Sequence, residues 1–214
     1  MPVVGTAKPD VTAKPDVRER ILDAAGRLFY ARGVRAVGMQ EIIDEAGTGK
    51  SGLYGHFATK DDLVEAYLER WSTALAASAD RALREAGGDP GDRIVAAVTH
   101  VGQRVLREGG RGCPLRNYLV EFPGSGDGAG AGSGPSALAR RRLRESRAEV
   151  DRAARELAGP VGGPVLAEQV RLVVDGLFAR AARRSPGDDA PPVDAVLAAV
   201  EMVRTMVAHH RDRS

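Results

Sequence analysis

QEIIDEAGTGKSGLYGHFATK, residues 40–60, admits two readings with opposite consequences. As a nucleotide site, Gly47-Thr48-Gly49-Lys50-Ser51 copies the end of a phosphate-cradling P-loop. As a nucleic-acid reader, Met39 to Ala46 is a short amphipathic helix, Gly47-Thr48-Gly49 a tight turn, and Lys50 to Phe57 a second helix aimed at a groove. A P-loop needs glycine six residues before its lysine, so that backbone amides can wrap the phosphates, and Asp44 stands there. It also needs a strand leading in. Met39, Ile42, Ile43 and Ala46 instead fall at offsets 0, 3, 4 and 7, the stripe of a helix. Gly52 and Gly55 would each cost about 1 kcal/mol inside a long P-loop helix. The helix-turn-helix is the better fit, and a P-loop-like nucleotide-binding enzyme using Gly47–Ser51 is the disfavoured rival.

The flanks agree with the first choice. Asp16 followed by Glu19 reads as a capping-box-like start, with Pro15 discouraging helix upstream, so a helix should begin near Val17. Ile21, Ala24, Ala25 and Leu28 repeat at helical offsets, Phe29 widens the stripe, and Gly33 should end the helix as a left-handed cap. Downstream, Thr59 should cap a long fourth helix with Asp61 and Asp62 in its first turn and Leu63, Tyr67, Trp71 and Ala74 on one face. Three short helices thus feed one long helix.

RERILDAAGRLFYARG at residues 18–33, EIIDEAG at 41–47 and the pattern K-x-x-LY-x-HF-x-x-K at 50–60 resemble the tetracycline-repressor (TetR-type) family of bacterial regulators. The resemblance spans residues 16–72. It implies an all-α fold of about nine helices: an N-terminal three-helix helix-turn-helix DNA-binding domain at 16–72, with the motif itself at about 39–57, then an effector-binding and dimerisation domain at 73–214. The implied function is a sequence-specific DNA-binding transcriptional regulator, most often a repressor, that leaves a palindromic double-stranded operator when a small molecule binds. No catalysis, cofactor or metal is implied.

Within the second helix of the motif, Leu53 and Phe57 are four apart and should face the core, leaving Tyr54 outward. The matching family tyrosine contacts a phosphate through its hydroxyl, an ordinary backbone contact. Lys50 can reach a guanine edge or a phosphate, Ser51 is small enough for close approach to a base, and His56 can meet either. Gln40 is placed on the exposed side of the preceding helix, where the family often has a contact residue. Lys60 opposes the dipole of the helix that it starts, so stability alone should not place it there, and the matching family lysine clamps a phosphate. Gly38 and Gly49 replace the usual capping hydroxyls at small cost. Gly52 and Gly55 stand where side chains commonly face DNA, so sequence preference should lean on few groups and on DNA shape. The expected DNA surface is therefore Gln40, Gly49, Lys50, Ser51, Gly52, Tyr54, His56 and Lys60.

Composition fits without deciding the class. The 214 residues are 43% hydrophobic but only 4% aromatic, so alanine, leucine and valine must fill the core. A net charge of +2 makes local placement of cations matter more than bulk charge. One cysteine excludes an intrachain disulfide. There is no apolar run of membrane-spanning length and no signal peptide, which predicts a cytoplasmic protein. Residues 1–15 hold a small repeat, AKPDV, and read as a disordered tail.

In the C-terminal part, Asp89-Pro90 should open a fifth helix with Ile94, Val98, Val101 and Val105 inward, and Pro114 to Phe122 a short sixth. Residues 123–135 read as a flexible loop. An arginine-rich helix from Ser136 to Leu157 has acids interspersed and reads as a solvated face rather than a second nucleic-acid surface. The last two helices should run from Pro164 to Arg183 and from Pro191 to His210. Val193, Val196, Val200, Val203 and Val207 repeat like a heptad and are expected to form the homodimer contact. Tyr67, Trp71, His100, Arg104, Asn117, Tyr118 and Phe178 are aromatic or polar-tipped residues on helices suited to line an effector pocket. Cys113 reads as a small buried hydrophobe, with a redox sensor as its alternative.

Overall fold

The computed structural model describes residues 16–108, 112–123, 133–182 and 193–212, and all its regular structure there is helical. The tail at 1–15 and most of the loop expected at 123–135 lie outside the described residues. The chain forms α1 (Val17–Arg32), α2 (Met39–Ala46), α3 (Lys50–His56), α4 (Lys60–Ala86), α5 (Pro90–Glu108), α6 (Pro114–Glu121), α7 (Gly134–Ala182) and α8 (Val193–Arg211).

Helix ends follow local chemistry, with two departures. Thr59 accepts a bond from the Asp62 amide at 3.1 Å while the Asp62 carboxylate accepts one from the Thr59 amide at 2.9 Å, a complete capping box for α4. The side chain of Asp16 makes no such bond; its carbonyl alone starts α1, receiving the Arg20 amide at 3.0 Å. Gly33 does have positive φ, but at φ 88° and ψ 156° it is extended rather than left-handed helical. Glycine is also needed there for space, since a Cβ at Gly33 would lie 2.6 Å from a Glu121 carboxylate oxygen.

α7 is one element only by continuity of hydrogen bonding. Gly159, at φ 71° and ψ −174°, breaks it, and Pro160 opens the second segment with the ring suited to a first helical position. Counting both segments gives nine helical pieces among the described residues. The second segment thus begins a turn before Pro164, the start expected from sequence. Pro164 sits inside it. Gly163 allows the two segments to pack closely, because a Cβ there would come within 2.6 Å of the Arg155 backbone.

α1, α2, α3 and the start of α4 bury Ile21, Ala25, Phe29, Ile42, Leu53, Phe57, Leu63 and Leu68 in one cluster. That cluster also takes in Cys113, Leu115 and Tyr118 of the α6 region and Leu138 and Ala139 of α7. The boundary expected near residue 72 therefore falls inside an uninterrupted helix and within continuous packing. A second cluster joins α5, α7 and α8 through Ile94, Val98, Ala153, Leu166, Val170, Val203 and Val207.

This second cluster corrects the expected dimer contact. Val196, Val200, Val203 and Val207 are buried at 7%, 9%, 0% and 2% exposure against α5 and α7 of their own chain, and only Val193 remains open at 43%. The heptad-like valines form the intramolecular seam of α8. Its outer face carries exposed Leu197 and Met202, and the outer face of the second α7 segment carries exposed Val161, Val165 and Leu172. No helix among the described residues is long and apolar enough to cross a membrane.

Candidate nucleic-acid interface and effector cavity

α2 buries Ile42, Ile43 and Ala46 and stops at Gly47, whose φ of 60° and ψ of 44° are left-handed helical. The Thr48 amide returns to the Ile43 carbonyl at 3.2 Å, closing the turn. α3 then stands on Leu53 and Phe57, both buried, which turns Lys50, Ser51, Tyr54, Gly55 and His56 to solvent. Tyr54 is 49% exposed, a large exposure for an aromatic ring with no packing duty. Because the lead-in to Gly47 is helix, the stretch lacks the strand that a P-loop requires.

The cations around α3 divide into those already engaged and those open. Arg27 pairs with Glu45 at 2.8 Å and Arg32 pairs with Glu41, so both tie α1 to α2. Arg18 lies over the Phe57 ring, 5.4 Å from its centroid. Lys50 is exposed and has no acidic partner among the described residues. Gln40 is exposed, and its amide donates to Asp44 at 2.9 Å.

Two positions differ from the sequence reading. Lys60 does not extend into solvent: its ammonium donates to the carbonyls of Val34 and Val37, at 2.7 and 2.6 Å. Burial pushes its pKa down, opposed by the nearby Glu121 and Asp61. It straps the α1–α2 connection to the start of α4, which is the stability reason that dipole considerations alone had denied it. Gly52 is half-buried and faces inward, where a Cβ would collide with the Thr48 hydroxyl and touch Val17. Its missing side chain serves close packing of α3 within the domain. Gly55 does face open space, and an added Cβ at Gly49 would only touch the Ser51 hydroxyl at 3.9 Å.

The α1–α2 connection is held from a third side by α6. The Arg35 amide donates to the Glu121 carboxylate at 2.9 Å, and the Arg35 guanidinium donates to the Glu121 carbonyl at 2.6 Å while lying 4.9 Å from the Phe122 centroid. α6 ends against the α1–α2 connection, and its beginning lines a cavity.

That cavity, of about 450 Å³, lies between α4, α5, α6 and α7. Trp71, His100, Arg104 and Phe178 of the expected set line it; Tyr67, Asn117 and Tyr118 do not. Tyr67 is committed to the N-terminal core, where it meets Phe29 edge-on at 5.5 Å, and Tyr118 stacks on Phe122 at 4.7 Å. His100 is buried, with Nε2 3.1 Å from the Ser78 hydroxyl, and the Arg104 guanidinium covers the Trp71 ring at 4.6 Å. Apart from Phe178, sequence reading missed the α7 contribution, including Arg142, Arg147 and Arg171. Acids interspersed between Ser136 and Leu157 had suggested a solvated face there. Cys113 also lines the cavity but is buried, and that burial pushes its thiol pKa up, away from the thiolate a redox sensor needs.

Residues 21–67 match the family model for bacterial regulatory proteins of the tetR family. The N-terminal domain is a TetR-type helix-turn-helix domain. The HTH-type transcriptional activator FasR of Mycolicibacterium smegmatis is 37% identical over 97 residues, which is 45% of this chain and 44% of that relative. The chain thus spans less than half the length of that curated relative. The TetR likeness continues beyond the family model at the level of fold. The structure of SCO4454, a TetR-family transcriptional regulator from Streptomyces coelicolor, superposes with a TM-score of 0.78 at 22% identity, covering 92% of this chain and 97% of that one. The structure of AibR in complex with isovaleryl coenzyme A and operator DNA superposes with a TM-score of 0.67 at 21% identity, covering 87% and 97%.

Proposed function

We propose that this protein is a dimeric, sequence-specific DNA-binding transcriptional regulator, acting as a repressor that a small-molecule effector releases from a palindromic operator. The observation that carries this is α3: a helix seated on buried Leu53 and Phe57 that presents Lys50, Ser51, Tyr54 and His56 outward, inside a TetR-type domain. In this reading Tyr54 donates its hydroxyl to a phosphate, Lys50 and Ser51 meet base edges, His56 and Gln40 flank them, and Gly49 lets the backbone approach. Lys60 and Gly52 are positioning residues that hold α3 and α4 in place.

The homodimer uses the last two helices through their outer faces: Leu197 and Met202 of α8 with Val161, Val165 and Leu172 of α7, all exposed in the single chain. Two-fold symmetry would set the paired α3 helices about 34 Å apart, one turn of B-DNA. The cavity is the effector site. AibR, a similar fold, was solved with both a small ligand and operator DNA, which supports assigning the two roles to two parts of one chain. α6 touches both the cavity and the α1–α2 connection, so an effector that prefers a different α6 position shifts the population away from the DNA-binding spacing.

A gel shift with DNA from upstream of the protein's own gene, run over a salt series, tests the reading. Retention of that DNA over unrelated DNA, with log affinity falling steeply against log salt, is the expected result. Equal affinity for any DNA, together with nucleotide hydrolysis lost in Lys50→Ala, would overturn it.

A further inference from the structure

Among the described residues, Arg147 is the arginine of the cavity lining with neither a carboxylate nor a ring against it, Arg104 lying over Trp71. Of the acids that line the cavity, Glu145 is held by Arg142 at 2.7 Å, Glu149 by Arg93 at 2.9 Å, and Asp151 by Arg171 at 2.5 Å. Arg116, another lining cation, pairs with Asp175. Arg147 lines the same cavity and pairs with no carboxylate among the described residues, and its Nε is buried without an acceptor. A half-buried guanidinium with no carboxylate beside it is costly, and an anion in the cavity would offset that cost. The remaining acid in the lining, Asp80, is exposed to solvent and so does not cancel it. The apolar part of the lining is formed by Leu75, Val101, Val150, Val174, Trp71 and Phe178.

We infer that the cavity takes an amphipathic carboxylate, its carboxyl group received by the Arg147 guanidinium and its hydrocarbon body lying among the apolar side chains. A planar guanidinium presents paired N–H donors to which a carboxylate is the matching acceptor. About 450 Å³ lies within the range of sites for small organic molecules. An amphipathic amine would be repelled by Arg147, and a neutral alcohol would leave its charge without a counterion. This assignment deepens the effector-site reading above and rests on it only for the consequence to DNA.

The chain contains a single tryptophan, and Trp71 lines the cavity, so intrinsic fluorescence reports occupancy directly. The full-length protein is titrated with decanoate, decanol and decylamine, three probes with one hydrocarbon chain and different head groups. Decanoate is expected to bind saturably and about tenfold or more tighter than either of the others, the discrimination typical of a hydrogen-bonded charge. Arg147→Gln should remove that preference while leaving decanol binding unchanged, and Arg147→Lys should restore part of it. Equal binding of decanoate and decanol by the wild type overturns the inference without recourse to any variant. So do preference for decylamine, binding of no probe, or a preference that survives Arg147→Gln. Adding decanoate to the upstream-DNA complex separates this from the regulator reading. Filling of the cavity with no release of DNA counts against the regulatory role and leaves the anion site standing, whereas release by decanol as readily as by decanoate does the opposite.

Discussion

Replacing Lys60 by methionine removes the ammonium and keeps most of the aliphatic stem, which isolates the two bonds to the Val34 and Val37 carbonyls. Hydrogen bonds to a charged group contribute roughly 1.5–3 kcal/mol each. Two bonds to one ammonium are not additive, so at the lower end of that range the pair together is expected to contribute about 2 kcal/mol. For a chain of this size each kcal/mol moves the midpoint by roughly 2–4 °C, so Lys60→Met should unfold about 4–8 °C below the wild type. Thermal unfolding followed by circular dichroism reads this, and urea unfolding at a fixed temperature checks that the slope is unchanged. DNA affinity should fall as well, because the α1–α2 connection and the start of α4 frame α3. The reasoning fails if Lys60→Met melts within about 1 °C of the wild type while losing DNA affinity, since that is the behaviour of a lysine reserved for phosphate.

Other substitutions separate the remaining roles. Tyr54→Phe should weaken binding to all sequences by about tenfold with Tm unchanged, whereas Ser51→Ala or Lys50→Ala should change base preference, as read by binding to an operator library. Gly33→Ala should cost about 2 kcal/mol, because alanine strains at φ 88° and its Cβ meets Glu121; made in a Glu121→Ala background, which already lacks the Arg35 contact, the same change should lower Tm by less. Leu197→Glu should shift a dimer to monomer in sedimentation with little loss of monomer stability, while Val203→Ala, at 0% exposure, should lower stability by roughly 1–2 kcal/mol and leave the oligomeric state alone.

Local chemistry carried much of the fold. The spacing of Leu53 and Phe57 already implied which side of α3 is buried, and Thr59 with Asp62 already implied the start of α4, because both depend on residues within one helical turn. Contacts between distant segments were not legible. Glu121 and Arg35 are 86 positions apart and belong to no periodic pattern, so nothing local signals that α6 docks on the α1–α2 connection. The Lys60 strap reaches back 26 and 23 positions for the same reason. The valines of α8 show a different limit: a heptad-like stripe states that a face is covered and does not state by which chain. On α7, arginines interleaved with acids suggested a solvated surface, yet Arg142 reaches Glu69 on α4 at 3.0 Å and Arg147 opens into a cavity that only the packing of four helices creates.

Hydroxyl-radical footprinting of the full-length protein on its own upstream DNA tests the central claim most directly. The account predicts two protected patches related by two-fold symmetry, centred about one helical turn apart and lost together in Tyr54→Phe at moderate salt. A single unsymmetrical patch, or protection that is the same on unrelated DNA, would contradict a dimer reading an operator through paired α3 helices.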